Sequence, residues 1–250
     1  MGVQSSFGFT LGRMEKGRLN KITDVPGVRV GHVTRHEGGI NTGVTAILPH
    51  TGDMFHDKCP AASHVINGFG KSIGLVQVNE LGTIETPLLL TNTLSVGTAA
   101  TALVKYMLER NEDIGRDTGT VNPMVFECND GHLNDIRGLH VTEQNALDAL
   151  ANAADDFEEG AVGAGSGMSC YSLKGGIGSA SRVFELYGNK YTVGALLLTN
   201  FGTLRDLTIG GERVGERLYQ KKEAEKAAAE QQDKGSVIIT VSYTHLRAHE

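Results

Sequence analysis

Apolar and polar residues alternate along Val28-Arg29-Val30-Gly31-His32-Val33, the two-residue period of a half-buried strand. The preceding Ile22-Thr23-Asp24-Val25-Pro26-Gly27 reads as a turn. Gly43-Val44-Thr45-Ala46-Ile47-Leu48 reads as a second strand, closed by Pro49, so the chain is expected to open with a hairpin. Leu75-Val76-Gln77-Val78, Leu88-Leu89-Leu90 and Met124-Val125-Phe126 are further strand candidates. Two stretches carry the helical period instead. Val96, Ala99, Ala100, Leu103, Val104, Met107 and Leu108 share one face over Val96–Glu109, and Ala146, Leu147, Leu150 and Ala154 share one over Glu143–Phe157. Val193–Leu198 is an almost wholly apolar strand, and Val237–Val241 is a β-branched run that reads as a buried one. A polar, helix-forming connector, 216–234, lies between them. Residues 1–20 read as a loosely ordered lead. Strands and helices interleave without a repeat, which predicts one α/β domain of packed sheets covered by helices, spanning residues 1–241.

The last apolar run draws attention because of what precedes it. Gly235 and Ser236 stand directly before it, so a serine opens a core strand after a flexible glycine. Such a serine can attack the carbonyl of its own glycine. Cleavage there would leave Ser236 as a new N-terminus, whose amine, with a pKa of about 8, can act as base for its own hydroxyl. The alternative is an ordinary Gly-Ser turn before a strand.

Composition narrows the partners. The 250 residues carry 23 Lys and Arg against 29 Asp and Glu, a net charge of −6, so no nucleic-acid footprint is present. No run approaches the length of a membrane span. Met1–Ser6 fits the short myristoylation pattern, but no polybasic cluster supports a second anchor. Cys59, Cys128 and Cys170 form no CxxC pair and point to a reducing compartment, the cytoplasm.

Several motifs fail on inspection. Gly68-Phe69-Gly70-Lys71-Ser72 ends like a phosphate-binding loop, but Val65 stands where the first glycine belongs. Gly70-Lys71-Ser72-Ile73-Gly74 fits a nucleophile elbow in letters, with strand and helix in the wrong order. In Gly163-Ala164-Gly165-Ser166-Gly167-Met168, the third glycine of a dinucleotide fingerprint falls on Met168 or, counted from Gly165, on Cys170. The Gly160–Arg182 stretch reads instead as a tight loop lying beside Ser236 and Asn200, where bare backbone can approach a substrate. His32 and His36 are four apart on a strand-like segment, a poor metal pair, and His50 and His56 have no partner by spacing. Asn200 and Glu127 each end a strand. An Asn amide there suits an oxyanion and a carboxylate suits an ammonium; a turn Asn and a solvated acid are the bland alternatives.

Taken together, Ile22–His32, Gly43–Ile47, Asn67–Lys71, Gly82–Pro87, Asn92-Thr93, Glu127–Asp135, Gly163–Arg182, Thr199–Gly202 and Gly235-Ser236 resemble the L-aminopeptidase D-amidase/D-esterase family, which includes the β-peptidyl aminopeptidases. The resemblance runs over about residues 20 to 241. It implies an αββα sandwich similar to N-terminal-nucleophile hydrolases. It also implies self-cleavage at Gly235–Ser236 into two chains that stay together, a homo-oligomer, usually a tetramer, and no metal or other cofactor. Ser236 matches the nucleophile, Asn200 the oxyanion asparagine, and Glu127 the acid that holds the substrate amine. Asn129 stands where some members carry an oxyanion tyrosine. Short peptides, amides or esters are the implied substrates. Family members continue well past the nucleophile's strand, into a stretch that supplies a supporting Ser/Glu pair. Ser242–Glu250 departs from that pattern and reads as a foreign tail on a shortened gene, so this chain is expected to stay uncleaved and inert. Two rivals remain. A related self-cleaving acyltransferase of the ornithine-acetyltransferase type typically uses threonine, and an inactive remnant or non-enzymatic binding domain is favoured by the shortened C-terminal part.

Overall fold

A computed structural model describes residues 12–223 and 235–244. Its strands are β1 (Arg29–Glu37), β2 (Ile40–Leu48), β3 (Cys59–Pro60), β4 (Thr83–Ile84), β5 (Leu88–Asn92), β6 (Met124–Cys128), β7 (Ser169–Cys170), β8 (Leu173–Lys174), β9 (Gly176–Leu186), β10 (Asn189–Asn200) and β11 (Ser236–Tyr243). The helices are α1 (Leu75–Leu81), α2 (Val96–Leu108), α3 (Glu143–Ala151) and α4 (Val214–Glu223).

Two sheets form the frame. One runs β1-β2-β5-β6, with β1/β2 the expected hairpin and β5 parallel to β6; the other runs β11-β10-β9, all antiparallel. The alternation along β5 and β6 explains the layering. Leu89 and Val125 face α2 and α3, packing with Ala99, Leu103, Ala146 and Leu150. Their neighbours Leu88, Leu90, Met124 and Cys128 face the other way, meeting Ile177, Leu196 and Leu198 of the second sheet. Among the described residues the order is therefore helix, sheet, sheet. Thr142 caps α3 reciprocally: Asn145 N–H donates to its hydroxyl and Thr142 N–H to the Asn145 side-chain Oδ1.

Local pattern misled in five places. Leu75–Val78 belongs to helix α1, not a strand. Gly74 and Gly82 bound it in left-handed conformations, Gly82 N–H caps Val78 O, and four apolar-rich residues are too few to fix a period. The second long helix stops at Ala151 rather than Phe157, because Ala154 exchanges both backbone bonds with Val30 and Phe157 turns into the core between the sheets. Residues 15–20 are tied down: Glu15 bridges Val183, and Gly17 N–H donates to Ser181 Oγ at 3.1 Å. Residues 1–11, with the myristoylation-like pattern, lie outside the described residues, as do 224–234 of the connector and 245–250.

The last two corrections concern β11. Even its inner face is only partly buried: Ile238 packs against the core, while Ile239, Val241 and Tyr243 are 55–56% exposed. It also extends past Val241, pairing with β10 through Tyr243↔Val193, and Thr244 N–H donates to Thr192 O. Ser242 and Tyr243 thus continue the strand that the sequence pattern ends.

Candidate active site

Pairing sets Ser236 and Asn200 directly opposite each other, at the first residue of β11 and the last of β10. Opposed residues of an antiparallel pair project to the same face. Gly235 is fixed by close approach: a Cβ there would lie 2.4 Å from Phe201 Cα and 2.8 Å from Asn200 O. Only glycine lets the chain enter β11 along that path.

The Asn200 amide is held at both ends. Its Oδ1 accepts from Ser169 N–H at 3.0 Å, and its Nδ2 donates to Asn129 O at 2.7 Å. One Nδ2 proton is used in this way and the second is left for another acceptor. Ser169 belongs to the glycine-dense stretch, which is not one loop, since β7, β8 and the start of β9 lie within it, and its loop part lies against Asn200. The loop is pinned by Tyr171 N–H to Phe201 O at 2.7 Å, and Gly175 sits so near Thr199 O that a Cβ would come within 2.4 Å of it. The Lys174 ammonium folds beneath the loop and donates to the carbonyls of Gly165, Met168 and Gly175 at 2.8–2.9 Å. Burial holds its pKa below the usual lysine range.

Glu127, at the end of β6, is 5% exposed. Its Oε1 accepts from Lys71 N–H at 3.0 Å and its Oε2 from the Thr93 hydroxyl. Among the described residues it has no ion pair; the Lys71 ammonium instead donates to Phe69 O and lies over the Phe69 ring. Asn129 acts through its backbone carbonyl on Asn200, while its side chain accepts from Gly131 N–H. Cys128 Sγ contacts Leu198 O at 3.9 Å, which binds the end of β6 to β10. Burial pushes its thiol far up, so it is no nucleophile.

A buried network sets the spacing of these strand ends. Thr42 Oγ1 donates to Asp130 at 2.6 Å and accepts from Asn92 Nδ2 at 2.9 Å, while Asn134 Nδ2 donates to the other Asp130 oxygen. Burial raises the Asp130 pKa above the ordinary carboxylate range. Glu127, Thr93, Asn129, Ser169, Asn200 and Ser236 all line one cleft of about 1920 Å³. Ligands commonly sit at the carboxyl ends of parallel strands, and here Thr93 follows β5 while Glu127 is the penultimate residue of β6.

The remaining candidates lie apart from this chemistry. His32 is locked on β1: Thr45 Oγ1 bonds its Nδ1 at 2.9 Å, and its Nε2 bonds Glu158 O at 3.1 Å. A carbonyl only accepts, so the ring is the neutral Nε2–H tautomer. His56 stands between Asp53 and Asp113, and His50 bonds Asp57 O and Gly52 N–H. Among the described residues no group of three His, Cys, Asp or Glu side chains is arranged to hold a metal. The sequence missed Lys71 N–H, Thr93 and Ser169 as partners of the site. Asn92-Thr93 at the end of an apolar strand is the one signal that could have found Thr93.

The end of one sheet thus brings a serine opposite an asparagine, in one cleft with a carboxylate that has no ion pair among the described residues. Residues 20–247 match Peptidase family S58, and the chain belongs to that family. It is 41% identical over 215 residues to the beta-peptidyl aminopeptidase BapA of Sphingosinicella microcystinivorans, covering 82% of this chain and 53% of that protein. The PH0078 protein from Pyrococcus horikoshii OT3 superposes with a TM-score of 0.88 at 51% identity, over 96% of this chain and 67% of that one. The L-aminopeptidase D-Ala-esterase/amidase from Ochrobactrum anthropi, described as a prototype serine aminopeptidase and a new variant of the Ntn hydrolase fold, gives 0.81 at 34% identity, over 93% and 65%. The chain thus spans about half of the BapA relative and about two thirds of the two solved structures.

Proposed function

We propose that these residues build the site of a self-processing serine aminopeptidase acting on short peptides, amides or esters with a free N-terminal amine. The observation that carries the reading is Ser236 paired opposite a clamped Asn200, in one cleft with the Glu127 carboxylate, which has no ion pair among the described residues. In processing, Ser236 Oγ bonds to the Gly235 carbonyl carbon, and the Gly235–Ser236 C–N bond breaks to leave an ester. Water then hydrolyses the ester, giving a carboxylate on Gly235 and a free amine on Ser236. Residues 1–235 become the larger chain, and Ser236 opens the smaller one. In turnover the Ser236 amine takes the hydroxyl proton, and Oγ attacks the substrate carbonyl. The free Asn200 Nδ2 proton meets the oxyanion, and Glu127 holds the substrate ammonium. The leaving amine departs with a proton, and water releases the acyl group.

The names of the relatives and the site geometry agree on this reaction class. A serine nucleophile speaks against the acyltransferase alternative, and Ser236 set opposite Asn200 is a pair that a domain with binding alone does not need. Location in the cytoplasm, assembly into a homo-oligomer and independence of any cofactor belong to the same proposal. Cys59, Cys128 and Cys170 are free thiols, as a reducing compartment requires. Among the described residues no helix is long and apolar enough to cross a membrane.

Because the 250-residue chain is expected to stay intact, the test is to follow intact mass together with hydrolysis of an aminoacyl p-nitroanilide both in that chain and in one lengthened beyond β11 to the length of its relatives. Turnover is expected only from molecules cleaved at Gly235–Ser236 and is abolished by Ser236→Ala. Turnover by the Ser236→Ala protein, or cleaved protein with no turnover across a panel of aminoacyl anilides, overturns the proposal.

A further inference from the structure

Each Glu127 oxygen already takes one donor, Lys71 N–H on one side and the Thr93 hydroxyl on the other. A carboxylate can only accept, so the single Thr93 proton is committed to Glu127. What remains on Thr93 Oγ1 is acceptor capacity, on a residue that lines the cleft. The position is rigid. Asn92 Oδ1 accepts from Ser95 N–H at 3.0 Å, and Asn92 Nδ2 ties the turn to Thr42 and so to Asp130, three residues beyond Glu127. The cation on the neighbouring loop is turned elsewhere: Lys71 Nζ donates to Phe69 O at 2.6 Å and lies over the Phe69 ring.

We propose that Thr93 is a recognition residue: its hydroxyl oxygen is a second acceptor for the substrate ammonium, beside Glu127. The pair accepts two N–H donors from one nitrogen and selects primary over tertiary amines. A primary ammonium can serve both acceptors, whereas a tertiary one keeps its charge but has a single N–H and can serve only one. The inference rests on the reading of Glu127 as the ammonium anchor. It differs from a purely supporting role for Thr93, which would affect all cationic ligands alike.

The test is calorimetric titration of the full chain with alaninamide and with its counterpart dimethylated on the α-amine, which requires no turnover. Thr93→Val should weaken alaninamide by about 10-fold, the range of a hydrogen bond to a charged group, and the dimethyl compound far less. The primary-to-tertiary preference should therefore collapse, and Thr93→Ser should restore it. Thr93→Ala gives the same comparison if the valine variant does not fold, with circular dichroism reporting the fold of each. Equal weakening of both ligands, or none, overturns the proposal for Thr93. Glu127→Gln separates the two ideas: if it leaves alaninamide binding unchanged, or if the unmodified chain binds no alaninamide, the Glu127 reading falls and this inference with it. If Glu127→Gln abolishes binding while Thr93→Val does nothing, only this inference fails.

Discussion

Asn200 is the residue whose role is most constrained by its bonds. Ser169 N–H fixes which end of the amide is oxygen, and the Asn129 carbonyl fixes which way the nitrogen points. A donor held in this way needs no reorganisation when negative charge develops. In processed enzyme Asn200→Ala should lower kcat by about 10²–10³-fold with little change in KM; an unchanged kcat would remove it from the mechanism. His32 yields a different prediction. Burial lowers its pKa to about 4, against an ordinary value of 6.5. The folded state therefore binds the proton less well than the unfolded chain does. Stability is full above pH 6.5 and is lost as pH falls from 6.5 towards 4, by an amount on the order of 3 kcal/mol. Thermal melting of His32→Gln should be flatter than that of the unmodified protein across this window. Equal slopes would show that His32 does not titrate as its burial requires.

Among the elements, β11 decides whether Ser236 can reach its own carbonyl. Attack depends on near-attack geometry, and so on how firmly the strand is held. Eight residue pairs join β11 to β10, from Asn200↔Ser236 to Val193↔Tyr243, and Gly235 is wedged against Phe201. On its other edge β11 has no partner among the described residues. One-sided pairing leaves the strand freer than a central one, so the 250-residue chain is expected to keep its intact mass after prolonged incubation at neutral pH. Clean conversion to a 1–235 fragment would mean that pairing with β10 is sufficient. Any conversion should stop in Gly235→Ala, because the added methyl cannot fit beside Phe201 Cα.

Across the molecule, the two sheets are unequally covered. The four-stranded sheet is buried on both faces, by α2 and α3 and by the second sheet. The outer face of β11 presents Ile239, Val241 and Tyr243, each more than half exposed. Apolar residues clustered beside an open strand edge favour association. Sedimentation velocity should detect oligomers at micromolar concentration, and Val241→Lys should shift the distribution towards monomer. A monomer at every concentration would sink this prediction and weaken the proposed homo-oligomer.

Residue periods and identities already specified the β1/β2 hairpin, β5, β6, β10 and helix α2, because each depends on neighbours a few positions away. The positions of Ser236 and Asn200 at the ends of apolar strands were legible for the same reason, and their catalytic roles are part of the proposal. Short or junctional segments were not. Leu75–Val78 is too brief for its period to distinguish strand from helix, and Ala154 leaves the helical pattern because Val30, far away in sequence, claims its backbone. The clamps of the site were also invisible in the sequence. Ser169 reaches Asn200 across 31 residues, Thr93 reaches Glu127 across 34, and Lys71 reaches it across 56. Those distances close only when β5 lies parallel to β6 and the second sheet packs on the first, and no local pattern encodes which strand ends will meet.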